Sequence, residues 1–189
     1  MPQSRNLVVK AIQFAARAHA GQLRKVKGVS YIWHPLAVGR LLEEAGCAET
    51  VVVAGVLHDT LEDTRTTGAD LRRRFGKPIT GIVEQCSEPD QSHPWEYRKK
   101  EMIRRLKSAG DDVKCVVTAD KIDNLRDLFA DQAVYGEKVW SYFHRGRESQ
   151  EWYFRTLWER LDSGSRSKPL DILMREFDRQ IAKLFREKV

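Results

Sequence analysis

The stretch Val51-Val52-Val53-Ala54-Gly55-Val56-Leu57-His58-Asp59-Thr60-Leu61-Glu62-Asp63-Thr64 limits what this chain can fold into more than any other part of it. Residues 51–57 carry no charge, so the run asks to be buried, yet it leads straight into an imidazole and three carboxylates. On a helix, His58 and Glu62 lie one turn apart on one face, and so do Asp59 and Asp63. Such a cluster at the end of a buried segment repels itself and is costly to desolvate without a counter-charge. A divalent metal is the simplest counter-charge, and it also gives the acids a use.

Valine suits a buried strand as well as a buried helix. The run reads as helix because no partner strand is found elsewhere in the chain. Residues 6–20 have Leu7, Val8, Ile12, Ala15, Ala16 and His19 at helical spacing, stopped by Gly21. A basic loop follows over residues 22–33, and His34-Pro35 opens a second helix that closes at Gly46. Further helices are expected over 67–75, ended by Gly76, then over 78–86, 95–107, 113–129, 134–142, 148–161 and 170–185. Ser87 to Pro94 reads as a loop, as does His144-Arg145-Gly146-Arg147, and Ser163 to Ser167 reads as a break. The sum is a single all-α domain over residues 1–189.

The 189 residues leave room for one real core and little more. Hydrophobic residues at 41% and charged residues at 32% fit a globular chain and not a disordered one. No apolar run reaches the roughly 20 residues of a membrane span, and no secretion signal is apparent at the N-terminus, so no membrane partner is expected. Cys47, Cys86 and Cys115 are odd in number and widely spaced, which points to thiols in a reducing cytoplasm. The net charge of +6 fits a solvated basic surface or an anionic ligand. Nucleic acid is the less favoured ligand, because no zinc-finger or RNP-type motif is present.

His58-Asp59 alone is two letters. It gains weight from His34, at a helix start one helix upstream, from Asp120 in Ala119-Asp120-Lys121-Ile122-Asp123-Asn124-Leu125 on a long helix downstream, and from Glu62-Asp63 beside it. Read singly, His34 is a capping or core histidine, Glu62-Asp63 a solvated acidic face, and Asp120 a partner for Lys121 or Arg126. Read together, two imidazoles and two carboxylates suit a borderline ion such as manganese, iron or zinc better than calcium or magnesium.

The set His34-Pro35, His58-Asp59-Thr60-Leu61-Glu62-Asp63-Thr64 and Ala119 to Arg126 resembles the HD-type hydrolase domain of RelA/SpoT proteins, and the length resembles the small alarmone hydrolases. The resemblance runs from about Leu7 to the end of the chain. It implies an HD-domain helical bundle of about eight to ten helices. It implies a manganese ion held by His34, His58, Asp59 and Asp120, with Glu62 and Asp63 serving the attacking water and proton transfer. The implied substrate is guanosine tetra- or pentaphosphate, with release of the 3′-pyrophosphate. It also implies substrate contacts from Arg24, Lys25, Tyr31, Asn124, Arg147 and Tyr153. The chain departs from the family pattern at Ser87-Glu88-Pro89-Asp90 in place of Thr-Asp-Asp, at Trp95 where some eukaryotic relatives carry lysine, and at Asp123 where many members have His or Tyr. Two other readings stay open. One keeps the metal and changes the substrate to an adenosine analogue or the 2′-phosphate of NADPH. The other is a non-catalytic domain that binds a nucleotide or RNA.

Overall fold

A computed structural model describes residues 4–88, 92–143, 145–162, 164 and 166–186, with side chains from Leu7 onward. Its elements in chain order are α1 (Ser4–Ala18), α2 (Trp33–Glu44), α3 (Glu49–Leu57), α4 (Thr60–Asp63), α5 (Gly68–Cys86), α6 (Trp95–Leu106), α7 (Asp111–Tyr135), a 3-10 helix (Gly136–Tyr142), α8 (Gly146–Leu161) and α9 (Lys168–Leu184). Among the described residues the only β feature is an isolated antiparallel bridge between Leu23 and Ser30, which pinches the basic loop. The all-α expectation therefore holds.

Helix α3 is buried on every side from Val51 to Leu57, as its sequence demands. It packs against α1, α2, α5 and α7. Two glycines set how closely α2 and α3 approach. A Cβ on Gly55 would meet Leu42 Cδ1 at 2.2 Å, and one on Gly39 would meet Val56 Cγ2 at 2.6 Å. The second long buried element is α7, whose Val116, Ile122 and Leu125 are fully enclosed and which packs on α2, α3, α5 and α9. With α2, α3 and α7 in mutual contact, the start of α2, the end of α3 and the middle of α7 fall at one place.

Several boundaries differ from the sequence expectation. Helix α3 does not run on through the acids. It ends at Leu57, tightens to a His58 N–H bond to Gly55 O, and restarts as the single turn α4. Thr60 Oγ1 donates to Leu57 O at 2.7 Å and closes that corner. The expected stop at Gly76 appears as a kink within α5, where Gly76 adopts φ 80° and ψ 170°. Helix α7 continues six residues past Phe129, to Tyr135, and residues 136–142 form a 3-10 helix in place of a separate α-helix. Gly136 at φ 59° makes that change, since a left-handed backbone cannot continue an α-helix. Trp140 is core as expected, while Trp152 is 39% exposed and rests on Trp95. Residues 89–91 of the expected loop, His144, and residues 163 and 165 of the expected break lie outside the described residues.

Candidate metal centre and the cavity beside it

His34 lies in the first turn of α2, His58 and Asp59 in the corner between α3 and α4, and Asp120 midway along α7. The structure brings all four together. Donor atoms of His34, His58 and Asp120 all fall within 4.8 Å of one another. Asp59 Oδ2 lies 3.0 Å from His58 Nε2 and 3.4 Å from His34 Nε2. Asp120 Oδ1 lies 3.3 Å from His34 Nε2 and 3.9 Å from His58 Nε2. Donors held at about 2.1 Å around one first-row cation sit roughly 3.0–3.4 Å from each other, so most of these spacings match a shared cation.

The imidazoles are turned for that purpose by their other nitrogens. His34 Nδ1 meets Asp123 Oδ2 at 2.6 Å, and His58 Nδ1 meets Gly55 O at 2.7 Å. Each partner is an acceptor, so each Nδ1 carries the proton and each Nε2 presents a lone pair to the cluster. His58 Nε2 is buried with no hydrogen-bond partner among the described residues, although an unpaired buried nitrogen is costly. A cation resolves that cost, and the two imidazoles and two carboxylates are donors a divalent metal accepts.

In the absence of a cation the imidazoles act as the counter-charge. Burial opposes the charge on His34, but the Asp120, Asp123 and Asp59 carboxylates hold its pKa well above the usual imidazole value. Burial likewise opposes charge on His58, and Asp59 and Asp120 override it. Burial pushes the Asp59 and Asp120 carboxyls up. For Asp59 the two histidines more than reverse this, and for Asp120 Lys121 and the histidines do so, leaving both well below the carboxylate range.

Glu62 and Asp63 follow on α4. Burial raises the Glu62 pKa, the Glu88 N–H bond lowers it, and the charges of Glu88, Asp59 and Asp63 raise it further. That N–H reaches Glu62 Oε2 at 3.1 Å. Asp63 is raised by burial and by Asp59. Both acids thus bind a proton more readily than a free carboxylate. The Tyr31 hydroxyl lies 2.6 Å from Asp59 Oδ2 and 3.2 Å from Asp63 Oδ2. It belongs to the acid cluster first and lines the neighbouring cavity second.

The cluster opens into a hollow of about 170 Å³. A larger cavity of about 350 Å³ adjoins it, and Tyr31, Lys99, Lys121 and Asn124 line both. Arg24, Lys25 and Tyr153 line the larger one. Arg24 is held by two bonds to Asp127, at 2.6 and 2.9 Å, and Lys25 is exposed at the rim. Asn124 donates to Asp120 Oδ1 and accepts from Arg24 at 3.3 Å, so it ties the cluster to the cavity. Arg147 is the one expected contact that does not line the cavity. It lies over the Phe185 ring at 5.7 Å and near Glu151 at 3.8 Å, because α8 turns that residue toward α9.

Lys99 and Lys121 stand where cations are wanted; Lys121 pairs with Asp120, as its place in the sequence allowed, and Lys99 has no sequence signal that marks it. Lys121 Nζ donates to Asp120 Oδ2 at 2.6 Å, and Lys99 lies 4.8 Å from the Tyr153 ring centre and pairs with Glu88. Trp95 and Tyr153 form an aromatic wall with centroids 6.1 Å apart. Asp123 was also missed as an orienting group. Its signal was its position three residues after Asp120, on the same helical face. Lys99 and Glu88 carried no such signal, because only tertiary packing brings α6 and the segment after α5 to the site.

An all-helical chain whose paired His and Asp donors converge from three helices has the architecture of an HD domain. A family model described as HD domain matches residues 11–145, and the chain belongs to that family. It is 38% identical over 148 residues to the human guanosine-3′,5′-bis(diphosphate) 3′-pyrophosphohydrolase MESH1, spanning 77% of this chain and 79% of that protein. The crystal structure of lmo0812 from Listeria monocytogenes EGD-e superposes with a TM-score of 0.75 at 36% identity, covering 82% of this chain and 99% of that one. A metazoan ortholog of SpoT that hydrolyzes ppGpp gives a TM-score of 0.75 at 27% identity, over 92% of this chain and 94% of that one. These relatives set the chain in the RelA/SpoT-type group of HD domains. Among the described residues no helix is long and apolar enough to cross a membrane.

Proposed function

We propose that this chain is a manganese-dependent hydrolase of guanosine 3′,5′-polyphosphates that releases the 3′-pyrophosphate. In this reading residues 1–189 form one catalytic domain working in the cytoplasm, where its three free thiols are at home. The observation that carries the reading is the pair of imidazoles whose Nδ1 bonds aim both Nε2 atoms at Asp59 and Asp120, beside the Glu62 and Asp63 carboxylates of the same hollow. The name of the human relative and the description of the metazoan one support the choice of substrate.

His34, His58, Asp59 and Asp120 hold the metal. A bound divalent cation supplies counter-charge and lowers the pKa of water from about 15.7 toward about 7. Arg24, Lys99 and Lys121 bind phosphate oxygens in the cavity, and Trp95 and Tyr153 receive the base. Lys25 adds a further cation at the rim. Glu62, steadied by the Glu88 N–H, accepts a proton from the water that attacks phosphorus. The bond between phosphorus and the ribose 3′-oxygen breaks, and Asp63, protonated beforehand, donates its proton to that oxygen. Exchange with solvent then reprotonates Asp63 and clears the proton from Glu62. Tyr31, between Asp59 and Asp63, fixes the acid that delivers the proton to the 3′-oxygen.

Incubation of the metal-loaded protein with guanosine tetraphosphate should yield pyrophosphate and guanosine diphosphate in equal amounts. A panel including the adenosine analogue and NADPH sets the base and phosphate preference. Absence of turnover with guanosine tetraphosphate in manganese, iron and zinc alike would refute the reading.

A further inference from the structure

A hollow of about 610 Å³ lies between the end of α1 and the start of α5. Asp63 lines both this hollow and the metal-centre hollow, and Gln22 Nε2 ties the wall by donating to Asp63 O at 2.6 Å. Three guanidiniums border it, those of Arg17, Arg65 and Arg74. None of the three forms an ion pair with any described residue, in a chain where most arginines do. Arg74 instead lies 5.4 Å over the Phe14 ring. The carboxylates within reach are already committed. Asp70 caps α5 through Thr67 and pairs with Arg73, and Asp63 faces Tyr31.

The basic character continues along α1. Lys10, Phe14 and Arg17 share one helical face, and a second hollow of about 310 Å³ is lined by Lys10 and again by Phe14, Arg17 and Arg74. Like charges gathered at one concavity repel each other until an anion joins them. Guanidinium forks match the paired oxygens of phosphate groups, and several forks around one hollow suit a diphosphate better than a single small anion.

We propose that the Arg17–Arg65–Arg74 hollow is a second anion site for a diphosphate group, separate from the metal centre and sharing only the Asp63 wall with it. The diphosphate is either free pyrophosphate or the terminal group of a nucleoside diphosphate. The inference goes beyond the hydrolase reading and does not need turnover, so the two can fail independently.

The test is a titration of the full chain, with magnesium present, by inorganic pyrophosphate, guanosine diphosphate, adenosine diphosphate, sulfate and a single-stranded RNA at two salt concentrations, followed by backbone amide NMR and calorimetry. The expected result is saturable binding with Kd below about 1 mM that shifts the amides of Thr64–Thr66 and the end of α1. R17E/R74E should weaken that event at least about tenfold, and R17K/R74K, which keeps charge but loses the fork, should weaken it less. Events at the metal centre should persist in both variants. Preference for pyrophosphate over both nucleotides assigns the site to the free anion, and the reverse assigns it to a nucleotide. The proposal is overturned if R17E/R74E binds as the wild type does, if shifts stay within the metal-centre cavity, or if sulfate binds as tightly as pyrophosphate. Tighter binding of single-stranded RNA, with a steep salt dependence, overturns it in favour of a nucleic-acid groove.

Discussion

Replacing Asp123 tests whether the metal centre depends on an imidazole fixed from behind. Asp123 Oδ2 accepts the His34 Nδ1 proton at 2.6 Å, and Asp123→Ala removes the only described acceptor of that proton. The ring is then free to turn or change tautomer. Loss of such an orienting partner typically lowers metal affinity about 10–100-fold, or about 1.4–2.7 kcal/mol. A second effect opposes the first. The Asp123 charge also helps to hold the His34 pKa up, so its removal reduces competition between proton and metal. That relief operates only where His34 is protonated. The net loss should therefore be greater at pH 8.5 than at pH 6.5, because proton competition with the metal falls as pH rises. Asp123→Asn keeps an amide oxygen able to accept from Nδ1–H and should lose less than the alanine variant. Competition of each purified variant with a graded metal indicator at the two pH values measures this. Wild-type affinity for Asp123→Ala at pH 8.5, or a larger loss in Asp123→Asn, would refute the reasoning.

The metal-free protein should lose stability as pH rises through the raised pKa values of His34 and His58. A raised folded-state pKa stabilises fully below the unfolded value of about 6.5 and less above it, while the lowered Asp59 and Asp120 stabilise above about 4 and lose that effect in acid. Since metal needs neutral imidazoles, the Tm gain on adding metal should grow from pH 6 to 8, and a flat or falling gain by thermal shift would contradict it. Glu62→Gln should keep full metal content yet cut turnover by about 10²–10⁴-fold, measured by metal analysis beside a phosphate-release assay. Lys121→Met leaves Asp120 without its 2.6 Å partner and should cost about 3–5 kcal/mol in metal-free protein, less once metal is bound, as read by urea unfolding. Gly55→Ala forces a Cβ against Leu42 and should cost about 1–3 kcal/mol, seen as a lower Tm.

The sequence by itself determined the helical class and the chemistry of the centre. An uncharged run ending in His58-Asp59 has few ways to be buried, and His34 and Asp120 carry recognisable flanking residues on helices that periodicity also marks. Helix lengths were less legible. The changes at Gly136 and after Leu57 depend on single backbone turns that periodicity does not register. Only the tertiary structure decided the rest. It set Lys99 and Glu88 of distant segments against the centre, turned Arg147 away toward Phe185, and drew Tyr31 into the acid cluster. The physical reason is that donor type and helical spacing are local properties. Which charge compensates which, and which face of a helix meets a cavity, follow from how α2, α3, α6, α7 and α8 pack against one another.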